Sequence, residues 1–167
     1  MGISKKYNEM IRTGIGYDVH KLEKDLDLII GGITIPSEFG SLGHSDGDGL
    51  IHAIVDALLG ASALGDIGTY FPSDDKKWEN CSSNYFLSNT VKLIEKAGFE
   101  ILNIDSTIVL EKPRLEKYIP SIINNLSEIT GKHNSAISVK ATTSDRLGFV
   151  GEGNGWSVFA IVTLKQK

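Results

Sequence analysis

Strand-like and helix-like hydrophobic patterns alternate along nearly the whole chain, with glycines at most of the junctions, and few architectures accept that order. Arg12 to His20 reads as a strand, and Leu26 to Ile35 as a second one broken at Gly31-Gly32. Beyond the Gly- and Asp-rich loop from Gly40 to Gly49, the spacing of Leu50, Ile51, Ile54, Val55 and Leu58 predicts a helix. Ser45 or Asp46 would cap its start and Gly60 would end it. Ala61 to Asp75 reads as turn and loop around Leu64-Gly65-Asp66-Ile67-Gly68, and Asp74 to Asn84 as a polar, mobile flap. A second helix is expected over residues 84–97, stopped at Gly98, followed by a strand from Ile101 to Leu110. Pro113 would open a third helical region reaching Thr130 and closed by Gly131, with Pro120 near its first turn. Two last strands, 137–143 and 156–164, flank the turn from Gly148 to Gly155. The order implies an α/β (α+β) sandwich, one mixed sheet with helices packed on one face.

Residues 1–11 read as a polar extension and 12–167 as one domain, since 167 residues suffice for a single core. The net charge of −4 makes no basic face for nucleic acid. A phosphorylated substrate would then need metal ions or aimed backbone N–H groups. One cysteine, Cys81, rules out an intrachain disulfide and a cysteine-only zinc site. No apolar run reaches the roughly 18 residues of a membrane span, and the start carries no signal-peptide pattern. A soluble protein of a reducing compartment is expected.

Asp18 and His20 stand two apart in a strand, so their side chains leave one face. His52 lies on the first long helix, with Asp48 and Asp56 four residues to either side as a polar stripe. Taken singly, Asp-x-His also fits a capped turn and His52 a solvated surface histidine. Taken together they suit a borderline ion such as Zn²⁺ with an open fourth position, and Asp56 would orient His52. His44-Ser45-Asp46-Gly47-Asp48-Gly49 runs into a helix N-terminus, where free N–H groups favour an anion, although an ordinary cap looks the same. Lys140 to Asp145 leaves a strand with hydroxyls and N–H groups suited to a diphosphate, and Asp145 suits a hard cation. The alternative is a hydroxyl-rich strand end. No nucleophile signature appears, so these residues by themselves point to a metal-dependent enzyme acting on a phosphorylated small molecule.

Five strings occur in order: Gly16-Tyr17-Asp18-Val19-His20, Gly43 to Asp48 (GHSDGD), His52 to Gly60 (HAIVDALLG), Leu64-Gly65-Asp66-Ile67-Gly68 and Val139-Lys140-Ala141-Thr142-Thr143. From about Arg12 to Leu164 the chain resembles the cyclodiphosphate synthase family of the non-mevalonate isoprenoid pathway. The resemblance implies cyclisation of 4-diphosphocytidyl-2-C-methyl-D-erythritol 2-phosphate to 2-C-methyl-D-erythritol 2,4-cyclodiphosphate with release of CMP, a phosphorus–oxygen lyase reaction. It implies Zn²⁺ on Asp18, His20 and His52, and a second ion, Mg²⁺ or Mn²⁺, on Asp145, where the family usually has Glu. His44 and Ser45 would hold the 2-phosphate, Asp66, Ile67 and Gly68 would face the methylerythritol, and Thr143 would touch the diphosphate. Cytosine would meet Leu110, Pro113, Arg114, Leu115, Ala141 and Thr142, while Asp75 and Phe149 complete the substrate contacts. A homotrimer follows, with sheets facing its axis and sites between subunits, in bacterial cytoplasm or a plastid-type stroma. Ser73 and Glu152 depart from the family, which commonly has Asp and a basic residue there. With Glu152, an isoprenoid diphosphate on the trimer axis is not expected. The rival functions are a metal-dependent phosphohydrolase and a non-catalytic cytidine nucleotide binder on the same fold.

Overall fold

The computed structural model describes residues 10–167, so the expected N-terminal extension lies outside the described residues up to Glu9. The first strand, β1 (Ile11–Lys24), runs four residues beyond His20. β2 (Leu28–Ile30) and β3 (Ile33–Ile35) form a separate hairpin, because Gly31 and Gly32 turn the chain at φ 59° and 75°. β4 (Phe39–Leu42) replaces the start of the expected loop and pairs with the far end of β1, from Lys21↔Leu42 to Lys24↔Phe39. Phe-Gly-Ser-Leu carries no strand alternation, and Gly40 is there for close approach: a Cβ on it would lie 2.2 Å from the Asp27 carbonyl oxygen.

The first helix, α1 (Gly49–Ala61), passes through Gly60 and closes where Ser62 Oγ donates to the Leu58 carbonyl at 2.7 Å. Its N-cap is Asp48, not Ser45 or Asp46. The short α2 (Ile67–Tyr70) lies within the expected loop, followed by α3 (Ser83–Lys96), with Gly98 at φ 84° behind it. β5 (Phe99–Val109) leads to α4 (Ile119–Thr130), β6 (Ile137–Thr142), α5 (Gly148–Gly151) and β7 (Gly155–Gln166). Residues 113–118 are therefore not helical. A helix opened at Pro113 would bury Pro120 in its interior and lose a hydrogen bond there, whereas Pro120 fits the first turn of α4.

The five-stranded sheet has the order β4-β1-β7-β5-β6, with only β5 and β6 parallel. Along β1 the even residues Gly14, Gly16, Asp18 and His20 turn inward, and Ile15, Tyr17 and Val19 turn out. Inside, α1 lies almost on the strand. A Cβ on Gly14 would stand 2.1 Å from the Ala57 carbonyl oxygen, and one on Gly16 only 1.9 Å from that of Ala53. That approach carries His52 to Asp18 and His20. α1 is buried nearly all round, between the sheet and the other helices, with Trp156, Phe86, Leu50, Ile54 and Leu58 among the fully buried side chains. The outer face leaves Ile15, Tyr17, Val19, Phe159 and Ile161 exposed, the Tyr17 and Phe159 rings 4.8 Å apart.

Candidate active site

Asp18 and His20 face inward from β1 and His52 meets them from the first turn of α1. Asp18 Oδ2 lies 3.1 Å from His52 Nδ1 and 3.2 Å from His20 Nδ1. One ligand atom from each residue falls within 4.8 Å of the other two, the arrangement a single ion requires. Despite its proximity to Asp18, His20 Nδ1 is buried with no hydrogen-bond partner. An orphaned imidazole nitrogen in a buried position is costly unless something else binds it, and two imidazoles with one carboxylate suit a divalent metal. Burial raises the Asp18 carboxyl, but the His20 and His52 imidazoles outweigh it and hold the group at about 2. Burial likewise works to lower His52, and the Asp18 carboxylate reverses this and raises it.

The other side of the His52 ring is held by hydroxyls. Nε2 lies 2.9 Å from Ser83 Oγ and 3.2 Å from Ser45 Oγ. Ser83 donates its own hydrogen to Asp46 Oδ1 at 2.5 Å, while its backbone N–H donates to Asp46 Oδ2 at 2.8 Å. Ser83 Oγ is thus free to accept from Nε2–H, a tautomer that would leave the Nδ1 lone pair for an ion shared with Asp18 and His20. Asp46 serves the start of α3, and at α1 it only accepts the N–H of the N-cap residue Asp48 at 3.3 Å. The expected role of Asp56 is corrected as well. Its carboxylate accepts the Ile67 N–H at 2.7 Å, because the first turn of α2 brings an unpaired N–H to it, and it fastens α2 to α1. Asp48 belongs to no polar stripe: it is 0 % exposed and accepts from the N–H groups of Gly31, Gly32 and Ile51.

A cavity of about 320 Å³ opens onto the triad, lined also by His44, Ser45, Ile67 and Gly68 and walled by Phe71, Trp78 and Phe86. Asp66 N-caps α2, and the Thr69 hydroxyl and N–H, each at 2.9 Å, hold its carboxyl below the usual range. His44 Nε2 lies 3.1 Å from the Asp75 carbonyl oxygen, whereas the Asp75 carboxylate turns away and accepts the Lys77 N–H.

A second cavity, about 390 Å³, is lined by Leu110, Glu111, Pro113, Arg114, Leu115, Ala141, Thr142 and Thr143. It forms where the parallel pair β5–β6 ends and Leu110 N–H donates to the Thr142 carbonyl at 3.0 Å. The residues expected around cytosine therefore come together, but Asp66, Asp75, Asp145 and Phe149 line neither cavity. The two cavities share no lining residue.

The sequence pattern of the YgbB family matches residues 11–165, from the start of β1 almost to the end of β7. The chain belongs to the YgbB family. Among curated relatives, the 2-C-methyl-D-erythritol 2,4-cyclodiphosphate synthase of Clostridium botulinum (strain Kyoto / Type A2) is 51% identical over 154 residues, covering 92% of this chain and 99% of that protein. Among solved structures, the IspF of Plasmodium falciparum in complex with CDP aligns with a TM-score of 0.82 and 37% identity, over 94% of this chain and 97% of that one. The bifunctional IspDF of Campylobacter jejuni aligns with a TM-score of 0.93 and 36% identity, over 96% of this chain and 43% of that longer chain.

Three features of this YgbB-family chain escape a reading of its sequence. Ser83 resembles any serine at a helix start, and only the fold brings Asp46 and His52 to it. The aromatic wall, in which Phe71 and Phe86 stack at 4.5 Å, draws on three separate segments. The stretch expected to be a mobile flap is tied down by its one aromatic residue, Trp78, which is buried at 8 % exposure. Asn80 N–H also donates to the His44 carbonyl at 3.0 Å, and Asp46 N–H to that of Cys81 at 3.3 Å. A lone tryptophan in a polar run was the available signal.

Proposed function

We propose that the chain converts 4-diphosphocytidyl-2-C-methyl-D-erythritol 2-phosphate to 2-C-methyl-D-erythritol 2,4-cyclodiphosphate and CMP, a step in isoprenoid precursor synthesis. The observation that carries this reading is the triad with its orphaned His20 Nδ1, facing a cavity in a chain 51% identical to a synthase of that name. A 2-phosphate oxygen of the substrate forms a bond to the β-phosphorus. The bond from that phosphorus to the oxygen shared with the α-phosphorus breaks, and the oxygen leaves with CMP. Both nucleophile and leaving group belong to the substrate, so the protein's task is to position them and balance charge.

Asp18, His20 and His52 would hold Zn²⁺ and Asp145 a Mg²⁺ or Mn²⁺, which when bound supply Lewis-acid stabilisation of phosphoryl charge. Asp145 suits the second ion because its exposed carboxylate has no hydrogen bond or ion pair among the described residues, leaving it open to a cation shared with substrate phosphates. His44 and Ser45 bind the 2-phosphate, and the Asp75 carbonyl orients the His44 ring for it. Ile67 and Gly68 of the cavity lining, with Asp66 next to them in the chain, receive the methylerythritol hydroxyls, and Phe71, Trp78 and Phe86 keep water from the reacting phosphorus. Leu110, Pro113 and Leu115 give cytosine an apolar seat beside Arg114, Ala141 and Thr142, with Thr143 toward the diphosphate.

Since the two cavities share no residue, one substrate is best served by two copies of the chain. We read the assembly as a homotrimer, its apolar sheet faces around Ile15, Tyr17, Phe159 and Ile161 turned to the axis. No helix among the described residues is long and apolar enough to cross a membrane, and cytoplasm or a plastid-type stroma suits the reading. The test is incubation with the cytidyl substrate and Mg²⁺, followed by chromatography and phosphorus NMR. CMP and cyclic diphosphate in equal amounts are expected. Orthophosphate or a linear product would indicate a phosphohydrolase instead, and no turnover a nucleotide binder.

A further inference from the structure

Asp145 and Arg146, at φ 53° and 62°, are the only adjacent non-glycine residues in the left-handed region among the described residues. Each conformation costs free energy and persists only where its surroundings enforce it. From below, the loop rests on Gly151, where a Cβ would lie 2.0 Å from the Arg146 carbonyl carbon. From above, it is held by a single atom. Glu111 Oε1 accepts the backbone N–H of Ser144 at 2.9 Å and that of Arg146 at 3.2 Å, with Ser144 Oγ 3.1 Å away. Converging backbone amides of this kind form a small anion seat, and here the protein fills it with its own carboxylate. Those N–H groups, Ser144 first, hold the Glu111 carboxyl below its usual range. Glu111 also lines the base cavity, between Leu110 and Pro113.

We infer that Glu111 is a positioning residue that sets Thr143 and Asp145 in register with the base cavity. By occupying the amides of the Ser144–Arg146 turn, it fixes the direction of the Asp145 carboxylate and denies those amides to a substrate phosphate. One side chain thereby couples where the base sits to where the diphosphate meets its cation. The inference rests on the reading of Asp145 as ligand of the second ion.

The test is titration of Mn²⁺ into the zinc-loaded full chain in the presence of CDP, with free Mn²⁺ followed by electron paramagnetic resonance. Glu111→Ala is expected to weaken Mn²⁺ about 10- to 100-fold while zinc content and a cooperative thermal transition are kept. Glu111→Gln should stay within about threefold of the parent, because its amide oxygen can accept the same hydrogens. Asp145→Asn should abolish the Mn²⁺ site. If Asp145→Asn loses Mn²⁺ but Glu111→Ala binds it as the parent does, the inference falls and the Asp145 reading stands. Unchanged binding in Asp145→Asn removes both. Glu111→Gln as weak as Glu111→Ala would mean that charge, not hydrogen-bond acceptance, is what matters, and would also overturn the inference. Should Glu111→Ala lose its zinc or its transition, Glu111→Asp carries the test. It keeps the charge but not the reach, so parental Mn²⁺ affinity in it refutes the role.

Discussion

Asp18, His20 and His52 reach their cavity from inside a 14-residue strand and from the first turn of a buried helix, whereas Arg114 and Thr143 reach theirs from loops beyond the sheet's last paired residues, with Asp145 in the turn behind Thr143. The first group is held by backbone that cannot move without opening the core: Gly16 lets α1 sit against β1, and Asp48 ties α1 to the β2–β3 hairpin. The second depends on a few side-chain contacts, those of Glu111 above all. A metal needs its ligands placed closely, while a base tolerates a softer seat, and the difference between the two cavities agrees with the proposed assignment. Variants on the metal side should therefore disturb both stability and metal, and variants on the base side chiefly substrate affinity.

The largest effect is expected from His52→Ala. It removes one of three ligands without touching the buried stripe of α1, so zinc occupancy and turnover should vanish while the chain stays folded. Metal analysis by mass spectrometry beside circular dichroism checks this, and a fully zinc-loaded variant would break the ligand assignment. Next comes Asp48→Asn. The new amide must set an N–H group against the N–H of Gly31, Gly32 or Ile51, of which Gly31 and Ile51 are buried away from water. A loss of about 2 to 3 kcal/mol in denaturant unfolding is expected. Unchanged stability would mean that the hairpin and α1 are not joined there, and the rigid side of the comparison would lose its anchor.

The two regions also differ in how far they could be read from sequence. Asp18 and His20 announce themselves through the period of a strand, and His52 through the helix behind it, because alternation and helical spacing are local. What orients them is not local. Ser83 is 31 residues from His52 and 37 from Asp46 along the chain, so their contact depends on how α3 docks. Asp56 illustrates the converse error: a spacing of four places it near His52, yet an N–H brought in by α2 takes its carboxylate. Pro113 misled because proline opens helices, and here Pro120 does so instead. The base cavity was legible only through family resemblance. Its residues follow no period, and loop conformations such as those of Asp145 and Arg146 are set by Glu111 from 35 positions away.

Ser83→Ala sharpens the metal side at intermediate size. It leaves all three ligands in place but removes the hydroxyl between Asp46 and the His52 ring. Zinc affinity should fall about 10- to 100-fold in competition with a chelator. Ser83→Thr keeps a hydroxyl and should recover most of that loss. If the alanine variant binds zinc like the parent, Ser45 alone suffices to orient His52, and the network through α3 serves the fold only.

Arg114→Ala probes the softer side and should have the smallest effect. The guanidinium is exposed at the edge of the base cavity, where water screens its charge and its long side chain loses entropy on binding. A rise in KM of about three- to fivefold is expected, equal to roughly 1 kcal/mol, with kcat and zinc content unchanged. A fall in kcat instead would mean that Arg114 acts on the reacting phosphates and not on the base. The loop-built cavity would then take part in the chemical step, and its assignment to binding alone would fail.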